Sequence, residues 1–256
     1  MKLHDYGESL AYEVAFWIQG VENPGYPIEE LGKLSLEVSE KLRALAIIVL
    51  LTQGETDFFY HDLIRSGRSR ARYLFRINES RRFEDHHWCS GRYEPLLDAV
   101  AAGDFALARG IVALSPSEFR EGHEYEDDYY YSQILHGWVM EPAAEQDVNP
   151  LLGRWKLYLE DLPSSRLTVC RALAATNQAD FDEAFAALLT EREAQIEADK
   201  ERGQLEEPHI VAQRRVFIEG LALLRLAEKR GLTTESEYRY CPSLARRPME
   251  TPFPGE

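Results

Sequence analysis

Acidic and aromatic side chains are concentrated between Glu121 and Leu135, in the stretch EGHEYEDDYYYSQIL. Carboxylates and imidazoles at this density can bind a metal ion, transfer protons or form an anionic protein-binding surface. A helix would place four of these side chains on one face: Glu124, Asp127, Asp128 and Tyr131. Bridged-metal enzymes use Glu-x-x-His pairs from two facing helices. His123 precedes the acids instead, so the stretch does not predict a metal site.

The distribution of charge leaves two roles open for these acids. Residues 61–93 contain eight bases and four acids, whereas residues 94–165 contain four bases and fourteen acids. The acids are therefore either internal partners of the basic stretch or an outward surface that attracts a basic protein. Ten excess negative charges exceed four excess positive ones, so both roles can hold. In the first role, Arg92, held by Gly91, is expected to make a bidentate contact with one of these carboxylates.

The second role predicts a partner-binding region. Tyrosine offers rigid amphipathic contact area, and carboxylates speed the encounter with a basic partner. The predicted contact residues are Glu121, Glu124, Glu126, Asp127, Asp128, Tyr129, Tyr130 and Tyr131.

Two short segments outside this stretch contain residue types that can bind metal ions. The pair His61-Asp62 resembles part of the metal site of the all-helical HD phosphohydrolases, which also need an upstream histidine and a downstream aspartate. The only upstream histidine is His4, and no downstream pattern supplies the aspartate. A metal-dependent hydrolase of this type, using His61, Asp62, His86 or His87, stays the alternative.

Asp85, His86 and His87 are metal ligands by residue type. Adjacent residues on a helix point about 100° apart, so they rarely share one ion. The sequence also has no GxSxG, Walker or HExxH motif. We therefore predict no catalytic residue, no metal and no cofactor.

Composition excludes several classes of partner. The 256 residues include 44 acids and 29 bases, a net charge of −15, which repels nucleic acids and anionic membranes. Three widely spaced cysteines without a CxxC pair favour a reducing compartment. The N-terminus lacks the apolar core of a signal peptide, and the longest apolar run, Leu42–Leu51, is too short to span a bilayer. These features predict a cytoplasmic protein with neither a nucleic-acid nor a membrane partner.

The segments that must position these residues show the apolar periodicity of α-helices. Apolar residues recur every three or four positions in three long segments: Ile28–Leu51, Phe58–Ile77 and Val211–Lys229, the last with Gly231 as its C-cap. Between them, EPLLDAVAAG and FALARGIVAL predict a helical hairpin in which Gly103 ends the first helix and Asp104 caps the second. A related pattern returns at residues 166–189, where Asp180, Phe181 and Ala184 correspond to Asp104, Phe105 and Ala108.

We therefore predict an all-α fold, a single-domain array of antiparallel helix hairpins over residues 1–256. N-terminal helices would occupy residues 1–80, core hairpins residues 90–230, and an irregular proline-rich tail residues 231–256. Two hairpins are fewer than the three copies that establish a solenoid. A helical-repeat scaffold is therefore a second alternative function.

Residues 70–245 resemble the immunity protein 49 family, the all-helical immunity proteins of bacterial polymorphic toxin systems. The resemblance rests on the SGR turn at Ser90–Arg92, the hairpin around Gly103-Asp104, the EYEDDYYY segment, and GLALLRLAEKRGL with its following CP. It implies a non-catalytic inhibitor that is encoded beside a cognate toxin, or secreted effector, and binds it. Many such toxins are nucleases with a basic cleft, which an acidic protein can enter and occlude. The oligomeric state is left open.

Overall fold

The structure, a computed structural model, describes residues 3–140, 147–160, 162–202 and 208–254. These residues form α-helices and two 3-10 turns, and no strand occurs among them, which confirms the predicted all-α fold. The helices are α1 (Leu3–Glu22), α2 (Ile28–Gln53), α3 (Thr56–Ser80), α4 (Glu94–Ala101), α5 (Phe105–Leu114), α6 (Glu126–Met140), α7 (Asn149–Tyr158), α8 (Ser165–Ala175), α9 (Gln178–Glu201), α10 (Pro208–Gln213) and α11 (Ile218–Lys229). The 3-10 turns are His86–Trp88 and Ser243–Arg246. The two residues at each chain end, part of the predicted N-terminal helices and tail, lie outside the described residues.

The long helices α2 and α3 form the central pair. Gly54 ends α2 in the left-handed region at φ 73° and turns the chain directly into α3. Small serine side chains let the two helices approach closely. At this distance Ser35 and Ser39 donate hydrogen bonds to the carbonyl groups of Ser69 and Ser66, both at 3.0 Å. α1 packs on α2, α4 on α3 and α11, and α5 on α3. Apolar residues from Leu10 to Ala245 join in one core cluster.

The first hairpin has the predicted turn. Gly103 lies at φ 78°, a conformation that favours glycine, and the Asp104 side chain accepts a hydrogen bond of 2.9 Å from the Leu107 amide. The second hairpin, α8 and α9, turns three residues before Asp180, the residue that corresponds to Asp104 in the sequence pattern. Its cap is Asn177, which accepts from the Asp180 amide, so Asp104 corresponds to Asn177 rather than to Asp180. The amino-acid similarity of the two hairpins is therefore displaced by three residues from their structural correspondence.

The predicted single helix Val211–Lys229 is wrong, because it is broken between α10 and α11. The Phe217 amide donates to the Tyr240 carbonyl at 2.7 Å instead of to an upstream helical carbonyl. Cys241 then packs against Gly220, where an added Cβ would lie 2.7 Å from the cysteine sulfur. A segment far along the chain thus interrupts the helix. Gly231 follows the end of α11 at φ 85°, where its capping role was expected.

The C-terminal segment crosses the start of α3. The Tyr60 hydroxyl lies 3.0 Å from the Ala245 carbonyl oxygen and 2.6 Å from that of Arg247, and Asp57 accepts the amides of Glu250 and Thr251, both at 2.8 Å. These bonds fix an otherwise irregular segment to the helical core.

Candidate functional site

The acidic stretch forms a turn followed by the first turns of α6. α6 begins at Glu126, so Glu124 and Tyr125 precede the helix and Glu124 does not share a helical face with Asp127 and Asp128. Three acids stand in the first turn, where the positive end of the helix dipole favours them. Some side chains of the stretch point into the molecule, and others reach solvent.

Glu124 points inward and holds the turn that precedes α4. One carboxylate oxygen accepts the Gly91 amide at 2.8 Å and the Ser90 hydroxyl at 3.3 Å, and the other accepts the Arg120 amide at 3.2 Å. A Cβ at Gly91 would lie 3.1 Å from the Glu124 carboxylate and 3.2 Å from the Asp128 Cβ. Gly91 thus allows the close approach, and its own amide makes the contact.

Asp128 and Tyr131 belong to the interior of the molecule. The Tyr93 hydroxyl donates to Asp128 at 3.1 Å, and burial, reinforced by the neighbouring Asp127 charge, raises the pKa of Asp128. Tyr131 is only 1% exposed, and its hydroxyl donates to Glu219 at 3.0 Å. Its ring packs edge-on against Tyr93 at 5.0 Å. In this structure Tyr131 therefore offers no surface to a partner.

The predicted bidentate contact of Arg92 is not made. The Arg92 side chain is exposed, and its guanidinium forms no hydrogen bond or ion pair with the residues that the structure describes. Bidentate pairs join other helices: Arg43 holds Asp98 at 2.6 and 2.8 Å, and Arg166 holds Glu219 at 2.7 and 2.8 Å. The one sequence signal for these pairs was Arg43, a charge inside the otherwise apolar run Leu42–Leu51.

Five of the eight arginines of the basic stretch bind groups other than these acids. Arg70, Arg72 and Arg76 donate to backbone carbonyl groups. Arg65 and Arg82 pair with Asp62 and Glu29. For these five arginines the hypothesis of internal neutralisation by residues 121–128 is wrong, because nearer carbonyls and carboxylates occupy their donors.

The outward part of the stretch is a row of aromatic rings. Tyr129 lies 5.5 Å from both Phe119 and Tyr130, measured between ring centroids, and Tyr130 lies 6.4 Å from Tyr158 on α7. Phe119 and Tyr158 are 37% and 44% exposed, and nearby Tyr125 is 75% exposed.

Hydrogen bonds hold the two central rings of this row. The Tyr129 hydroxyl donates to the Ser117 carbonyl and the Tyr130 hydroxyl to Glu126, both at 2.9 Å. Rigid, partly exposed rings of this kind are well suited to protein contacts.

Carboxylates accompany this row. Glu121 is exposed and Asp127 is partly buried, and neither has an ion pair or hydrogen bond through its side chain within the described ranges. We call this region the acidic–aromatic surface; it comprises Phe119, Glu121, Tyr125, Glu126, Asp127, Tyr129, Tyr130 and Tyr158. Phe119, Tyr125 and Tyr158 lie outside the predicted contact residues, although Tyr125 stands within the acidic stretch.

A model of the immunity protein 49 family matches residues 40–245. The chain belongs to the immunity protein 49 family. The matched residues include the acidic–aromatic surface and exclude α1. Membership in this immunity protein 49 family implies a toxin partner in general terms. No curated protein and no solved structure matches the chain.

The residues considered for metal chemistry in this family member fall into two separate groups. A ring nitrogen of His61 lies 3.0 Å from the Thr251 carbonyl oxygen, and Asp62 pairs with Arg65 at 2.6 Å. Both therefore have structural partners. The expectation that His86 and His87 diverge is wrong, since their ring centroids lie only 3.8 Å apart in a 3-10 turn.

No helix within the described ranges is long and apolar enough to cross a bilayer.

Proposed function

We propose that this member of the immunity protein 49 family neutralises a cognate toxin by direct binding, through its acidic–aromatic surface and without catalysis. The observation that supports this proposal is the row of four aromatic rings beside the highly exposed Tyr125 and the unpaired carboxylates Glu121 and Asp127. Partly exposed aromatic groups that are held rigidly beside carboxylates are characteristic of protein-binding surfaces.

The two chemical components of the surface have different effects on binding. The aromatic rings bury a large apolar area at little cost in side-chain entropy, so they supply affinity and slow dissociation. The carboxylates attract a basic partner and mainly accelerate association. Because a nuclease cleft that accommodates phosphates is basic, a toxin of that class is a complementary partner. The protein would then occlude the cleft.

The inward residues have a supporting role in this proposal. Glu124 and Asp128 bond to the Gly91 amide and the Tyr93 hydroxyl, and Tyr131 bonds to Glu219. They fix the start of α6 and so orient the rings of Tyr129 and Tyr130. We therefore assign them to positioning of the surface rather than to direct contact.

Association kinetics with the toxin encoded beside this gene test the charge component. Glu121→Gln combined with Asp127→Asn should reduce the association rate roughly two- to fivefold at low salt and weaken its dependence on salt. Glu191→Gln with Glu201→Gln removes the same charge from exposed positions on α9 and is the matched control. Equal effects of the two pairs would show that net charge, rather than this surface, steers association.

Dissociation kinetics test the aromatic component. Tyr125→Ala should accelerate dissociation about tenfold, as expected when an interface anchor worth about 1.4 kcal/mol is removed. Tyr12→Ala on α1 is the control, because Tyr12 is 83% exposed but lies outside the family match. Co-expression with the same toxin gives the cellular readout: the wild-type protein should restore growth. Failure to bind that toxin, or to rescue growth, would refute the proposed function.

A further inference from the structure

A carboxylate and two imidazoles converge in the turn that follows α3. Asp85 caps the 3-10 turn His86–Trp88, and its Oδ1 lies 2.6 Å from Nδ1 of His87 and 3.8 Å from Nδ1 of His86. The donor atoms of all three residues lie within 4.8 Å of one another. A 3-10 turn thus brings together side chains that an α-helix would separate.

Hydrogen bonds from within the turn and from α3 hold it in place. The Tyr73 hydroxyl donates to Oδ2 of Asp85 at 2.7 Å, and the His87 amide donates to Oδ1 at 2.9 Å. The buried Arg70 side chain donates to carbonyl groups of the turn, among them that of Cys89 at 2.9 Å. The orientation of the carboxylate is therefore fixed before any ligand arrives.

The neighbouring helix α2 is shaped to accept this turn. Gly32 lies against it, and an added Cβ there would come 2.8 Å from the His87 Cβ and 3.0 Å from the Tyr73 ring. Any larger residue at position 32 would displace the turn. The His86 side chain is 55% exposed, whereas those of Asp85 and His87 are 16% and 18% exposed, so a solvent ion would approach from the His86 side.

We propose that Asp85, His86 and His87 bind a divalent transition-metal ion, with Zn²⁺ as the reference ion. Two imidazoles and one carboxylate are a ligand set that this class of ion prefers, with water completing the coordination. Bonds of about 2.0–2.1 Å at tetrahedral angles place donor atoms about 3.3 Å apart. The observed separations of 2.6 and 3.8 Å lie on either side of that value, and all three donor atoms lie within 4.8 Å of one another, so side-chain rotation alone would bring them to coordination distance.

Binding replaces the hydrogen bond between Asp85 and His87 with metal bonds to both of them and adds a third metal bond to His86. Nδ1 of His87 and Oδ1 of Asp85 now face each other; on metal binding the imidazole proton resides on Nε2, and both former partners become ligands. Tyr73 keeps its bond to Oδ2 and acts as a positioning residue, as carboxylate partners outside the coordination sphere do in other metal sites.

Metal titration of the purified full chain tests the site. Zn²⁺ should bind at one equivalent, and Co²⁺ should give the visible absorption of a four-coordinate ion. His86→Ala should weaken binding at least about tenfold, because it removes one of three ligands from an exposed position. Tyr73→Phe should weaken binding about tenfold while retaining the packing of the ring.

His123→Ala is the matched control, because His123 is also exposed but lies outside the turn. Binding that survives in His123→Ala and is lost in His86→Ala would support the site. Zn²⁺ binding that is absent in the wild type, or equal in wild type and His86→Ala, would overturn it. Thermal unfolding of each metal-free variant shows whether its fold is intact.

Discussion

At the scale of single residues, burial controls the protonation of His136, a residue outside the acidic–aromatic surface. His136 lies inside α6 with 8% of its surface exposed, and burial lowers its pKa to about 4, with the Arg70 charge acting in the same direction. Its unfolded-state pKa is about 6.5. Between these two values the unfolded chain binds more protons, so the free energy of unfolding falls as the pH falls.

The contribution of His136 can be measured by comparing pH dependences. From pH 7 to pH 5 the wild type should lose about 2 kcal/mol more stability than His136→Gln, which has no titrating group at this position. Urea unfolding at both pH values measures the difference, and His4→Gln, at a surface position on α1, is the control. Parallel stability curves for wild type and His136→Gln would contradict the expected proton linkage.

At the scale of helices, close packing decides what a glycine contributes. Gly67 in α3 faces the α4–α5 hairpin, where a Cβ would lie 2.9 Å from Leu107 and 3.2 Å from Ala99. Gly110 in α5 has open space around the same position. Local helix propensity favours alanine at both positions, but only the second can accept it without a clash.

The two substitutions should therefore change the free energy of unfolding in opposite directions. Gly110→Ala should stabilise the protein by about 0.5–1 kcal/mol, because alanine loses less backbone entropy on folding. Gly67→Ala should destabilise it by about 1–3 kcal/mol, because α3 must move away from α5. Denaturant midpoints measure both effects. Stabilisation by both variants would mean that α3 and the hairpin do not approach this closely.

At the scale of the whole molecule, ion pairs between distant segments fix the arrangement of the helices. Arg43 on α2 and Asp98 on α4 are 55 residues apart, and the Asp98 side chain is completely buried. Lys41 on the same helix pairs with Glu13 on α1, but both of those side chains are substantially exposed. Water screens the second pair and not the first, so the two pairs should differ in their effect on stability.

Removal of one partner from each pair tests that difference. Asp98→Asn should destabilise the protein by roughly 3–5 kcal/mol, because it leaves the Arg43 charge in the interior without a carboxylate. Glu13→Gln should cost less than about 1 kcal/mol. Chemical denaturation of both variants gives the comparison. Similar small losses would indicate that solvent reaches Asp98.

Local features of the fold were predictable because each depends on neighbours in the sequence. Apolar periodicity predicted the helices, Gly103 and Asp104 predicted the first hairpin turn, and the quoted motifs predicted the immunity protein 49 family. The acidic–aromatic character of residues 121–131 was equally clear from composition. Composition did not show which of these side chains point outward, because their directions depend on where α4 and α11 lie.

Contacts between distant segments decided the rest. Tyr240 interrupts the helix predicted over residues 211–229, and Gly91, rather than the Arg92 guanidinium, binds Glu124. The convergence of Asp85 with its two histidines required a 3-10 turn packed against Gly32. The sequence by itself therefore determined helical type, charge and family, since periodicity and composition act locally. Only the tertiary structure determined the direction of each side chain, because that direction depends on hydrogen bonds and close packing between segments that are remote in the sequence.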